Sequence, residues 1–244
     1  MVRALAVLCI ASVACGDDVG SSTDGGGGEG GGAMVVASGD VRRAMPGARF
    51  EDLGPVEGAT VCVHERPDVA CATSTATGAF ELRFVPALSE VALAFVAAGY
   101  QSALVPVVTD ERPLRLVLAM EPADAIAARN AAAGAAADPE SGSIGFVAVE
   151  AAGVPDVSVT AVPAGDGPYY VGADHAVDPS LDATSERGFG FVLGLAPGIT
   201  RLRFAHPTLA CDMPLLGWPS TDGTVRAPVA AAHETAVAVL CGPM

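Results

Sequence analysis

The densest group of chemically capable side chains is Tyr169-Tyr170-Val-Gly-Ala-Asp174-His175-Ala-Val-Asp178-Pro-Ser-Leu-Asp182. Three carboxylates, one imidazole and two phenols fall in a single stretch rich in turn-forming residues. Oxygen donors on such a loop suit a hard cation, Ca²⁺ above all, or a polar ligand. The acids lack the alternate-position spacing of calcium loops, which favours a solvated polar loop whose tyrosines cover the edge of a β-sandwich. Trp218, in Leu216-Gly-Trp-Pro219, offers an indole that either stacks on a sugar or plugs the end of a β core. The candidate ligand-binding residues are therefore Tyr169, Tyr170, Asp174, His175 and Trp218.

Catalytic chemistry finds less to work with. All 13 basic residues are arginine, which removes Schiff-base and lysine-base mechanisms. There is no Gly-x-Ser-x-Gly turn for a serine nucleophile and no His-Glu-x-x-His for a metalloprotease. His64, His175, His206 and His233 are scattered over separate segments. The glycines at 25–32 precede no Lys-Ser/Thr and so form no phosphate loop. No catalytic residue, metal or cofactor is expected.

Four of the six cysteines, Cys62, Cys71, Cys211 and Cys241, lie outside the N-terminal segment. An even number after export reads as disulfides, with three possible connectivities. Glu65-Arg-Pro-Asp68 is a turn by composition. If His64 faces Val69 across it, Cys62 faces Cys71 directly, and Cys211 pairs with Cys241 by default. A zinc site is the rival, but the cysteines lack close paired spacing and no histidine completes a set.

Export itself is read from the first residues. Arg3 supplies a positive start, and residues 4–13 are an apolar run, interrupted only by Ser12, of signal-peptide length and too short to span a bilayer. Ser12-Val13-Ala14-Cys15 resembles a bacterial lipobox, with Ser12 where an aliphatic is usual. That makes Cys15 the expected lipid-attachment site. Ordinary cleavage and secretion is the alternative. Residues 15–33 are Gly-rich and read as a flexible tether, which suits an anchored cysteine. Removing residues 1–14 takes away one arginine and no acid, so a net charge of −15 becomes −16. That charge argues against nucleic acid and anionic membrane surfaces as partners.

The elements that must position these groups are strands. Short apolar runs bounded by Gly and Pro cover residues 34–41, 59–64, 69–75, 79–85, 91–96 and 114–118. A second set covers 143–149, 154–162, 189–193, 200–204, 225–229 and 235–240, with a long loop at 163–183. Between the sets, residues 121–142 are Ala-rich, with Pro122 and Pro139 at the ends of a short helix or linker. The expected fold is all-β: two tandem Ig-like or transthyretin-like β-sandwiches, over 34–120 and 143–244.

The two sets echo each other. Pro55-Val-Glu-Gly-Ala-Thr-Val61 matches Gly153-Val-Pro-Asp-Val-Ser-Val159, and Thr75-Ala-Thr-Gly78-Ala-Phe80 matches Ser185-Glu-Arg-Gly188-Phe-Gly-Phe191. In the first set, Phe80, Leu82 and Phe84 alternate and are expected on one inward face.

Gly39-Asp-Val41, Gly54-Pro-Val-Glu-Gly-Ala-Thr-Val61, Thr75-Ala-Thr-Gly78-Ala-Phe80 and Gly99-Tyr100 together resemble the carboxypeptidase regulatory-like domain family. The resemblance spans most of residues 38–120. It implies a transthyretin-like sandwich and a non-catalytic adhesion, scaffold or carrier role, and brings no catalytic residue with it. The expectation is a non-catalytic envelope lipoprotein on the outer membrane or cell surface, with secretion or a periplasmic location as alternatives. Its partner would be an envelope protein or glycan, and it would touch the membrane through the lipid only. A carbohydrate- or protein-binding adhesin using residues 169–182 and Trp218 is the second reading. An envelope hydrolase is the third, and needs a deep pocket uniting a histidine with an acid.

Overall fold

The computed structural model describes residues 33–45, 52–135 and 138–243. The export signal, Cys15 and nearly all of the tether lie outside the described residues. No helix among those described is long and apolar enough to cross a membrane.

Among the described residues the fold is all-β apart from one short α-helix. Its first unit contains β1 (Met34–Arg43), β2 (Thr60–Val63), β3 (Ala72–Thr73), β4 (Ala79–Pro86), β5 (Glu90–Val96), β6 (Ser102–Val108) and β7 (Leu114–Met120). β1 runs antiparallel to β4 and parallel to β7. Facing them, β2, β5 and β6 form an antiparallel ladder, with β3 beyond β2. Period-two alternation sends Val61, Val63, Leu93 and Phe95 inward against Phe80, Leu82, Leu116 and Leu118.

The second unit contains β8 (Gly142–Val149), β9 (Ser158–Val162), β10 (Asp166–Tyr170), β11 (Phe189–Leu195), β12 (Gly198–Ala205), β13 (Leu209–Leu216), β14 (Trp218–Pro219), β15 (Val225–Val229) and β16 (His233–Pro243). β8 runs antiparallel to β11 and parallel to β16, while β9, β12 and β15 form an antiparallel ladder. β1, β2, β4, β5, β6 and β7 of the first unit thus recur as β8, β9, β11, β12, β15 and β16, while β13 and β14 are additions of the second.

The repeat extends to single hydrogen bonds. Ser74 Oγ accepts from Ala59 N at 2.8 Å and donates to Val56 O at 2.7 Å. Thr184 Oγ1 does the same between Val157 N at 3.0 Å and Val154 O at 2.7 Å. Gly78 N bonds Thr75 O while Gly78 O takes Val41 N; Gly188 makes the equivalent pair with Ser185 O and Ala148 N. A buried hydroxyl thus clamps strand entry to hairpin in each unit, satisfying groups that burial would otherwise leave unpaired.

The two units share a sheet. Residues 233–235 of β16 pair in parallel with 102–104 of β6, while residues 234–240 pair with β8 on the other edge. One nine-stranded sheet therefore runs β10-β11-β8-β16-β6-β5-β2-β3, with β13 also on β16. β8 and β16 are buried on both faces. Phe146, Val237 and Val239 enter the second core, and Val147, Val149 and Ala238 reach the first. That two-sided burial explains why both strands read as continuous apolar runs.

The Ala-rich stretch contains α1 (Ala123–Ala132), with Pro122 at its N-cap and Ile126 buried beneath it.

Three expectations need correction. Residues 163–183 are not a continuous loop, because β10 forms within them and pairs with β11. The strands β6, β13 and β14 carry no clean alternation and lie outside the runs that the sequence marks as strands. Phe84 does not continue the inward face of Phe80 and Leu82. The register slips between Leu82 and Val85, Phe84 adopts φ 63°, and it turns outward, 66% exposed. A β-bulge of this kind re-aims a side chain.

Candidate functional site

The polar stretch 169–182 divides between core and surface. Tyr170 closes β10 and is only 2% exposed. Its hydroxyl accepts from Val159 N at 3.0 Å, and its ring meets Phe146 edge-on at 6.0 Å. Burial pushes its pKa up. Tyr170 is thus a structural residue, which corrects its expected place in a ligand site. A buried phenol needs a hydrogen-bond partner, and here the Val159 amide serves. Tyr169 points to the other face and stacks on Phe191 at 5.4 Å.

The acids that follow shape turns. Asp174 Oδ1 accepts from Ala176 N at 3.1 Å. Asp178 Oδ1 accepts from Ser180 N and Oγ, bonds that hold its carboxyl below the usual range. His175 sits at φ 66° between them. Burial lowers its pKa, Arg187 lowers it further, and Asp174 opposes both. Arg187 itself donates to Ala173 O, at 3.1 Å from Nε and 2.6 Å from Nη2. Among the described residues no three His, Cys, Asp or Glu side chains converge as a metal cage would require. The stretch is a folded arm held by Asx-type turns.

Trp218 lies elsewhere. The indole is half-buried, and its Nε1 donates to Val91 O and Val107 O, each at 3.2 Å. It thereby ties the second unit to strands β5 and β6 of the first. Trp218 lines a cleft of about 690 Å³ between the units, together with His64, Glu90, Val91, Ile199 and Pro228. Arg226 bonds Glu90 across the same junction.

Both disulfides form with the expected pairing. Cys62–Cys71 closes the β2–β3 hairpin with Cα atoms 4.4 Å apart, and the register Thr60↔Thr73, Val61↔Ala72 places them opposite. Cys211–Cys241 joins β13 to β16.

The sequence gives no hint of a buried ionic cluster at the junction. Arg129 on α1, 11% exposed, pairs through both terminal nitrogens with Glu234 of β16. It lies 3.7 Å from Glu121 at the end of β7 and 4.4 Å above the Phe191 ring. Ser143 Oγ donates to Glu234 at 3.3 Å. Burial first, and the Glu234 charge second, push Glu121 up to about 7, against the pull of Arg129. Arg129 and Glu234 are 105 residues apart in sequence, so no local pattern announces the pair.

No family model and no curated protein matches this chain. Among solved structures it is similar to the TIE protein of Bacillus anthracis: 12% identity over 87% of this chain and 34% of that one, with a TM-score of 0.28. The chain thus spans about a third of that protein. It is also similar to GBS52, the minor pilin of the gram-positive pathogen Streptococcus agalactiae (11% identity, 86% and 96% coverage, TM-score 0.28). A streptococcal ancillary pilin follows (11% identity, 85% and 68% coverage, TM-score 0.29).

Proposed function

We propose that this chain is a non-catalytic, lipid-anchored module of the cell envelope, serving as a rigid spacer and binding surface. The observation that carries this reading is the shared sheet. Two sandwiches of one topology are joined edge to edge, with both faces of β8 and β16 buried. A joint built that way resists bending, unlike a linker between separate domains. Two disulfides suit an oxidising compartment outside the cytoplasm. The signal-like residues 1–14 and Cys15 supply the route and the anchor. The resemblance of residues 38–120 to carboxypeptidase regulatory-like domains points the same way.

Within this reading the ligand-binding face is the cleft beside Trp218 rather than the 169–182 arm, whose polar groups are occupied in its own turns. An adhesin that takes a glycan or protein segment in that cleft is the second reading, favoured by the Trp218 side chain among its lining residues. Fractionation tests the anchored reading. The native chain should sediment with membranes and Cys15→Ala should not. Equal amounts of both forms in the soluble fraction would reject it.

A further inference from the structure

The end of the first unit where the described chain begins carries an unusual apolar tip. Phe84 and Leu88 are 66% and 69% exposed, and both hold left-handed backbone, at φ 63° and 51°. Bulky side chains seldom adopt that region. Met34, opposite Pro86, and Val108, opposite Glu90, are exposed at the same end. Thr109 Oγ1 donates to Pro86 O at 2.7 Å and accepts from Ser89 N at 3.0 Å, binding the β6 end to the β4–β5 turn.

The internal repeat shows what the fold alone requires at these positions. The same slip occurs in β11 between Val192 and Leu195. There the outward left-handed residue is Gly194, also at φ 63°. The turn after it differs: Gly198 opens β12 at φ 140°, outside the left-handed region that Leu88 holds in the first unit. The second unit thus meets the demand of the bulge with glycine. The first meets it with phenylalanine, against the backbone preference, and aims that ring and the left-handed Leu88 at solvent. Strain kept at an exposed apolar site points to a surface with a task.

We infer that this tip is a membrane-facing contact that seats the anchored protein on a lipid bilayer. The inference rests on the proposed acylation of Cys15. Ala33 lies 18 residues after Cys15, and Ala33 O accepts from Ala87 N within the tip at 2.9 Å. Even fully extended, 18 residues reach about 60 Å, so an acyl anchor would hold the tip close to the lipid at high effective concentration. A weak apolar patch then suffices as the second membrane signal. The flanking charges comprise the arginine–carboxylate pairs Arg66–Asp68 at 2.7 Å, Arg83–Glu81 at 2.7 Å and Arg112–Asp110 at 2.5 Å, with the exposed acids Glu65 and Glu111 beside them. They offer no cationic surplus, so the tip fits zwitterionic rather than anionic lipid.

A tryptophan reporter tests this on the chain as purified, mixed with phosphatidylcholine vesicles containing brominated lipid. Leu88→Trp should be blue-shifted and quenched relative to the native protein. Val96→Trp, exposed at the opposite end of β5, should not. Adding Phe84→Gly should cut quenching at position 88 at least threefold while the fold persists. Equal quenching at 88 and 96, or none at 88, overturns the tip. A blue shift without lipid, with sedimentation at twice the monomer mass, overturns it in favour of a second copy. Intact mass reports the anchor separately. An acyl-free chain still quenched at 88 keeps the tip and discards the anchor, whereas an acylated chain unquenched at 88 does the reverse.

Discussion

Phe80 and Phe84 are four residues apart in one strand and should respond in opposite directions. Phe80 is buried and meets Phe95 edge-on at 5.6 Å. Phe80→Ala should cost about 3–5 kcal/mol by emptying the first core. Phe84→Gly removes no core contact and relieves left-handed strain, so it should stabilise by about 1 kcal/mol. Urea unfolding of both variants reads the two signs, and a destabilised Phe84→Gly would mean that its ring packs after all. Asp174→Ala and His175→Ala should stay within about 0.5 kcal/mol of the native protein, since their groups serve only an exposed turn. A melting temperature raised by Ca²⁺, and lowered again by Asp174→Ala, would restore the arm as a metal site. The alternation of Phe80, Leu82 and Phe84 is plain in the sequence, but the bulge that breaks it is not. Bulges follow from pairing register, which only the partner strand fixes.

At the scale of elements, α1 is held to the sheet by charge more than by bulk. Ile126 is its one buried side chain, and Arg129 anchors the other end. Arg129→Leu would strand Glu234 beside Glu121 and should cost about 3–5 kcal/mol. Glu121 adds a pH dependence of definite sign. Its folded pKa of about 7 lies above the ordinary carboxylate value of 4.5. Between those values the folded state holds more protons than the unfolded state, so stability falls as pH rises through that window. Glu121 is about a third exposed at 36%, and screening reduces the effect to about 1 kcal/mol. Glu121→Gln should flatten the melting profile between pH 5 and 8 and stabilise the protein at pH 8. An unchanged slope would show that Glu121 titrates normally. Nothing local in the sequence reveals this cluster, because Glu234 lies 105 residues from the Arg129 it pairs with. The strands that escaped the sequence share a different cause. Pro106 in β6, Gly167-Pro168 in β10 and Pro214 in β13 look like breaks. Pro106 is tolerated because its carbonyl, not an amide, meets Gly217 N across the gap between β6 and β13.

For the whole molecule, the internal repeat is legible from motifs that recur in the sequence and Cys62–Cys71 from the register of a short hairpin, after which Cys211–Cys241 follows by elimination. The fusion of the two units is not legible, since it depends on β16 meeting β6 more than 100 residues away. The Cys62–Cys71 and Cys211–Cys241 bridges close loops of 9 and 30 residues, contributing roughly 2–4 kcal/mol each by chain entropy. Reduction should therefore lower the melting temperature without abolishing the sandwich cores. A protein that unfolds outright on reduction would shift the weight of stability from the cores to the bridges.

The claim that this rigid pair of sandwiches is an anchored envelope module is tested most directly by the intact mass of the protein recovered from membranes. The account predicts a chain beginning at Cys15 and carrying the mass of its acyl groups. A chain cleaved elsewhere, or one beginning at Cys15 with no lipid mass, would contradict it.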